Sequence, residues 1–173
     1  FLDDSSLNVL TNYILDLRDG DKTNLSQMSD EVFYTSTGYN KFLTSDGYPA
    51  IKPPWGSLNA INLNTGNIDW SIPLGQTKIG EINNIMTGTE NYGGPLLTKS
   101  GIIFIAATSD KKIRAFDSKD GELLWERELP YAGFATPSYY EIDGVPYISI
   151  SSGGGKLGTT SGDKYVVFSL KSK

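Results

Sequence analysis

One pattern in this chain occurs twice, and it restricts the fold more than any other feature. "AINLNTGNIDW", residues 60–70, returns 55 residues later as "AFDSKDGELLW", residues 115–125. Ala, Gly and Trp keep their places, and Asn62 is answered by Asp117. In each copy a β-type run meets a turn whose glycine, Gly66 or Gly121, can take a positive φ that a β-branched residue resists. A second run carries the tryptophan four residues later. Each copy reads as a hairpin. Ala60 and Ala115 mark places without room for a large side chain, and Trp70 and Trp125 offer broad rings to cover a neighbouring unit. Glycine in a turn and tryptophan in a strand are each common, so two copies alone could be unrelated hairpins. A third, partial copy adds weight: in "DKYVVFSLKSK", Tyr165–Leu170 aligns with Ile113–Ser118.

The rest of the chain beyond Tyr39 has the same character. Short β-type runs fall near residues 57–63, 67–73, 95–98, 102–107, 112–117, 122–128, 136–141, 145–151 and 164–170, separated by Gly, Pro, Asn and Asp. No helical pattern interrupts them. Many short strands with turn signals imply a mainly β meander architecture: a sandwich, a barrel or a propeller. The repeat decides for the propeller. Two copies and a truncated third make about two and a half four-stranded antiparallel blades, while propellers close with roughly four to eight. The chain is therefore expected to be a sector of a ring, and its start at Phe1 looks cut from a longer protein.

Before the β portion, "DDSSLNVLTNYILDLRDG" predicts one N-terminal α-helix. Asp4, Ser5 or Ser6 can cap it, Leu7, Leu10, Ile14 and Leu17 form an apolar stripe, and Gly20 is a stop. A polar, aperiodic stretch follows. This divides the chain into residues 1–38, helix and linker, and residues 39–173, the β sector.

Composition excludes several kinds of chemistry. The 173 residues contain no cysteine and no histidine, which removes disulfides, thiol nucleophiles, Ser-His triads and haem attachment. Twenty acidic against 15 basic residues give a net charge of −5, with no basic cluster suited to nucleic acid. Carboxylates such as Asp110, Asp117 and Glu122 fall in hairpins and turns and read as ordinary solvated or turn-bonding groups, with no acid/base pair among them. "KPPWGSLNA" reads as an extended lead into a strand, with Trp55 a core anchor or part of a rim.

The pattern Ala-x-[Asp/Asn]-x-x-[Thr/Asp]-Gly-x-x-x-Trp resembles the tryptophan-docking motif of the quinoprotein dehydrogenases, eight-bladed propellers that hold pyrroloquinoline quinone (PQQ). "GYPAIKPPWGSLNAINLNTG", "TGTENYGGPLLTKSGIIFIAATSDKKIRAFD", "LPYAGFATPSYYEIDGVPYISISSGGGK" and "GTTSGDKYVVFSL" together resemble the C-terminal part of the membrane-type PQQ glucose dehydrogenase group. The resemblance implies hydride transfer from a sugar or alcohol carbon to the quinone, assisted by an Asp base and by calcium or magnesium. In that family the base and the metal ligands come from earlier blades, so it implies no catalytic residue and no metal ligand in this chain.

It does imply a cofactor contact at "ENYGGP", where Asn91, Tyr92, Gly93 and Gly94 resemble an Asn-Trp-Gly-Gly-Pro segment that approaches PQQ. Tyr92 replaces the tryptophan. An ordinary bulge entering a strand is the alternative. Gly154, Gly155 and Lys156 in "SSGGGKLGTTSGDK" resemble a Gly-rich loop at the substrate entrance, the alternative being a flexible connection. A phosphate loop is ruled out, because Leu157 follows Lys156 and Ile150 holds the place of the first glycine. The N-terminal segment is similar to the last helix of a cytochrome c-like domain, though without CxxCH, and an amphipathic helix covering a propeller face fits equally.

These expectations combine into the C-terminal sector of a periplasmic or membrane-associated PQQ-dependent sugar or alcohol dehydrogenase. In it Ala60, Gly66, Trp70, Ala115, Gly121 and Trp125 would hold blades together. PQQ with calcium or magnesium would bind the full-length parent, with none bound to this piece alone. The expected partners are the remaining blades, the substrate, an electron acceptor and other copies through exposed blade edges. The alternative is a cofactor-free propeller scaffold of the outer-membrane protein assembly type.

Overall fold

A computed structural model describes residue 36 and residues 38–169 of the chain. The predicted helix and nearly all of the linker lie outside the described residues. The chain divides between Asn40 and Lys41, and the sheets described below all belong to the second unit.

Eleven strands are described, all in antiparallel sheets: β1 (Ser57–Ile61), β2 (Ile68–Pro73), β3 (Thr77–Ile79), β4 (Ile82–Ile85), β5 (Leu96–Leu97), β6 (Ile102–Ile105), β7 (Lys112–Asp117), β8 (Leu123–Glu128), β9 (Ser138–Ile142), β10 (Val145–Ser152) and β11 (Lys164–Ser169). Each of the nine β-type runs read from the sequence forms a strand. The β3–β4 hairpin was not anticipated, because "TKIGEINNI" is short and interrupted by polar residues. The expectation of four-stranded blades throughout is corrected: only β5-β6-β7-β8 is four-stranded, flanked by β1-β2 and β3-β4 pairs and by a three-stranded β11-β10-β9 sheet.

The two copies of the repeat fold alike down to single hydrogen bonds. Ala60 pairs with Trp70 and Ala115 with Trp125, and each ladder shifts register at the next residue, between Ala60 and Ile61 and between Ala115 and Phe116. The turns close through Gly66 N–H to Asn62 O at 2.7 Å and Gly121 N–H to Asp117 O at 2.9 Å. Gly66 and Gly121 have φ of 73° and 76°, the left-handed conformation that glycine adopts without a Cβ penalty. Asn62 Oδ1 accepts from Asn64 N–H and Asp117 Oδ1 from Lys119 N–H, which explains the shared Asn/Asp position.

Strand β7 lies at the centre. Its four middle residues, Ile113–Phe116, are all buried. Side chains alternate across a strand, so each face meets a different core. Ile113 joins Ala106, Leu129, Ile148 and Ile150, packing β5–β8 against β9–β11. Phe116 joins Leu74, Ile105 and Ala107, with Leu58 and Ile72 of the first hairpin packed against them. Face-to-face sheets in sequence order are the propeller arrangement. An apolar cleft of about 950 Å³ opens between β5–β8 and β9–β11, lined by Leu96, Phe104, Trp125 and Phe168 among others.

Trp70 spans the first junction. Its indole N–H donates to Ser118 O at 3.0 Å, and its ring lies where a Cβ on Gly121 would sit 2.9 Å from Cε3. Trp125 meets Phe168 of β11 edge-to-face, with ring centroids 5.2 Å apart. Trp55 stacks on Tyr48 at 6.2 Å and donates to Ile51 O, a local anchor.

Candidate functional site: a main-chain-knitted loop cluster

Four segments converge where strands end. They are residues 91–95 before β5, 106–111 between β6 and β7, 129–137 after β8 and 152–162 after β10. The main chain holds them together. Tyr92 N–H donates to Ala107 O at 2.9 Å, Ala107 N–H to Gly133 O at 2.7 Å, and Gly154 N–H to Ala132 O at 2.9 Å. Ser152 Oγ accepts from Tyr131 N–H and donates to Tyr131 O, while buried in full. Ala107 is held at φ 63° while only 1% exposed, a strained conformation that the surrounding bonds enforce.

The two segments singled out in the sequence meet here, although 64 residues separate Tyr92 from Lys156. Lys156 Nζ stands 4.4 Å from the centroid of the Tyr92 ring, and Phe134 meets the same ring edge-to-face at 6.4 Å. Tyr92 is 43% exposed, so its ring is available to a ligand. The glycines have another use. A Cβ on Gly93 would lie 2.8 Å from Phe134 O and one on Gly94 2.9 Å from Thr136 Oγ1, which accepts from Gly94 N–H. Their missing side chains are filled by the 134–136 segment. Asn91 bridges to Thr108 and its amide donates to Thr89 O. Gly154 leaves room for Thr160 O, and Gly155 packs beside Ser161.

Charged residues beside the cluster correct one expectation. Asp110 bonds its own turn, as read, but its side chain is buried rather than solvated. Arg114, fully buried, forms ion pairs with Asp110 and with Glu126, the latter at 2.8 Å, and its Nη1 donates to Thr108 Oγ1. Glu126 also accepts from Lys112 Nζ at 2.6 Å. The network reaches the first hairpin's neighbourhood: Gln76 N–H donates to Asp110 Oδ2 at 2.8 Å and Lys112 Nζ to Gln76 Oε1. No buried side-chain polar atom among the described residues lacks a partner. Such an array, fully hydrogen-bonded, fixes the 106–111 turn against which Tyr92 is bonded. Asp117 and Glu122 do stay in the hairpin turn, as read.

The family model for "PQQ: Glucose/ethanol/alcohol dehydrogenase, beta-propeller domain" matches residues 13–148. The chain belongs to this family of PQQ β-propeller dehydrogenases. Among curated relatives, the quinoprotein glucose dehydrogenase of Escherichia coli (strain K12) is 37% identical over 138 residues, covering 76% of this chain and 17% of the relative. The quinate/shikimate dehydrogenase (quinone) of Acinetobacter baylyi is 34% identical, covering 76% and 17%. The chain thus spans about one sixth of the length of these relatives. The solved quinohemoprotein alcohol dehydrogenase from Comamonas testosteroni has a similar fold, with a TM-score of 0.51 and 24% identity over 72% of this chain and 18% of that one.

Within the PQQ family frame, the sequence reading missed Phe134, Thr136 and the Arg114 network. The Arg114 pairing had a signal: with Ala115 opposite Trp125, Arg114 falls opposite Glu126. Phe134 had none, because its neighbours come from distant segments.

Proposed function

We propose that this chain is the C-terminal sector of a PQQ-dependent sugar or alcohol dehydrogenase, glucose-type among its relatives, that acts in the periplasm or at its membrane face. It contributes blades and one wall of the cofactor pocket and is inactive alone. The observation that carries this reading is the meeting of Tyr92 and Lys156, from the two segments that resemble cofactor and substrate regions of quinoproteins, with Phe134 of a third segment against the same ring. PQQ, when bound, supplies the two-electron acceptor for oxidation of a CH–OH group.

The chain's own residues would bind and orient. Tyr92 and Phe134 offer perpendicular aromatic surfaces to a flat ring, and Lys156 brings a positive charge to an oxygen-rich ligand. The base and the metal ligands are supplied by blades elsewhere in the parent, and the electron acceptor that reoxidises the cofactor is a separate partner. Trp70 and Trp125 dock successive blades through Gly121 and Phe168, and Gly66 and Ala60 present the same docking surface to a further blade. Exposed apolar residues on the first hairpin, among them Ile61, Leu63 and Ile68, drive self-association of the isolated chain.

One observation favours a cofactor-free scaffold instead: the space beside Gly93 and Gly94 is taken by the protein's own 134–136 segment. Titration of the full-length protein with PQQ, with and without calcium, separates the readings. Saturable binding supports the dehydrogenase; no binding under either condition refutes it.

A further inference from the structure

We propose that Lys156, held against the Tyr92 ring, is a carboxylate-binding cation of this pocket. The inference rests on the dehydrogenase reading and adds to it the charge of the group recognised. Lys41, Lys112 and Lys164 pair with Glu90, Glu126 and Asp163, while Lys52, Lys78, Lys99, Lys111 and Lys119, like Lys156, have no ion pair among the described residues; of these unpaired lysines Lys156 alone is seen on an aromatic face. Lys156 forms no ion pair among the described residues, and its ammonium stands on an aromatic face at 4.4 Å.

That difference has a chemical meaning. A carboxylate partner would cancel the charge, whereas a ring attracts the cation through its quadrupole and leaves it charged. An ammonium has three donors, and the π-face directs it without consuming them all. The backbone beneath is fixed as well. Lys156 O accepts from Thr159 N–H at 2.9 Å and from Thr159 Oγ1 at 2.7 Å, and the turn passes through Leu157 at φ 53°. With the backbone fixed and the ammonium resting on the ring, the side chain has already given up part of the rotamer freedom that a lysine loses on binding an anion. A cation held on a ring face and not cancelled by a carboxylate of its own chain is a receptor for one from a ligand.

Two ligands of this reaction class can bring a carboxylate: PQQ itself, a polycarboxylate, and an acidic polyol substrate. The test uses the full-length protein with Lys156→Gln, Lys156→Arg, Tyr92→Leu and Tyr92→Phe. Apo-protein is titrated with PQQ by fluorescence, and PQQ-saturated protein with quinate and with glucose by calorimetry, as acidic and neutral probes. Unchanged thermal unfolding confirms intact folding, since both residues are exposed.

If the cofactor is the source, Lys156→Gln weakens PQQ binding about tenfold or more, the usual worth of one charge-assisted hydrogen bond. Lys156→Arg and Tyr92→Phe stay within a few-fold of the unmodified protein, and Tyr92→Leu loses an intermediate amount. If the substrate is the source, PQQ binding is unchanged and quinate affinity alone falls about tenfold, with glucose unaffected. Equal affinity for PQQ and an unchanged quinate-to-glucose ratio in Lys156→Gln would overturn the proposal while leaving the dehydrogenase standing. Absence of PQQ binding in the unmodified protein would overturn the dehydrogenase reading and this inference with it.

Discussion

Gly66 and Gly121 form a matched pair inside one chain, and replacing each by alanine separates backbone strain from blade docking. Both have nearly the same φ, 73° and 76°. Alanine there costs about 1 kcal/mol, because its Cβ crowds the following carbonyl in the left-handed region. Around Gly66 a Cβ meets nothing within 4 Å; on Gly121 it lies 2.9, 3.1 and 3.2 Å from three ring atoms of Trp70. Carbon contacts are optimal at roughly 3.5–4.0 Å, so the indole must retreat by about 0.5–1 Å. That movement stretches its 3.0 Å bond to Ser118 O, a bond worth about 0.5–1.5 kcal/mol. Together with lost packing, Gly121→Ala should cost about 2–4 kcal/mol against about 1 for Gly66→Ala. With a urea slope of about 2 kcal/mol/M, the midpoint of Gly121→Ala falls by roughly 1–2 M and that of Gly66→Ala by about 0.5 M. In a Trp70→Leu background the Gly121→Ala penalty should drop to the strain term alone. Equal midpoint shifts for the two glycines, with additive effects in the double variant, would refute the docking argument.

Arg114→Ala leaves Asp110 without its buried cation and should cost about 3–5 kcal/mol in urea unfolding; Arg114→Met together with Asp110→Leu should recover much of that loss. Tyr139 donates to Glu141 Oε2 at 3.0 Å, which holds its hydroxyl proton and raises its pKa above 10.0 through that hydrogen bond, with desolvation and the nearby charge adding. The folded state therefore favours the protonated phenol, a stabilisation present below pH 10.0 and lost as pH rises through the folded value. Ultraviolet difference titration of the unmodified protein against Glu141→Gln should show a late-forming tyrosinate that the substitution removes. Gly93, at φ 106°, faces backbone, and Gly93→Ala sets a methyl against Phe134 O at 2.8 Å, so its unfolding midpoint should fall by more than that of Gly66→Ala and, in the full-length protein, PQQ affinity should drop as the Tyr92–Phe134 contact opens. Sedimentation of the isolated chain should show concentration-dependent association through the exposed face of the first hairpin; a strict monomer over a wide range contradicts it.

The hairpins were legible because their causes are local. A glycine at positive φ, an Asn or Asp that caps its own turn, and a small residue opposite a tryptophan all lie within eleven residues of chain. The β3–β4 hairpin offered no such signal, since its polar residues hide the alternation. Asp110 was read correctly as a turn residue, because its Oδ1 accepts from Lys112 N–H at 3.2 Å. Its burial depends on Arg114 reaching across from β7, and that follows only once register and stacking are known. Tyr92 and Lys156 were each chosen by resemblance; nothing near either residue announces that the ammonium rests on the ring. Likewise, Gly93 and Gly94 suggested space for a ligand, and the atoms that take that space are forty residues away, in Phe134 and Thr136.

The bonds that hold the loop cluster run mostly between peptide groups: Tyr92 to Ala107, Ala107 to Gly133, Gly154 to Ala132. A peptide donor or acceptor is present whatever side chain the residue carries, proline aside. The frame therefore survives exchange of the groups mounted on it. Side chains at Tyr92, Phe134 and Lys156 can be varied together in a library with little risk to the loops. Inherited change meets the same freedom: the groups mounted on such a frame can diverge while the frame itself stays.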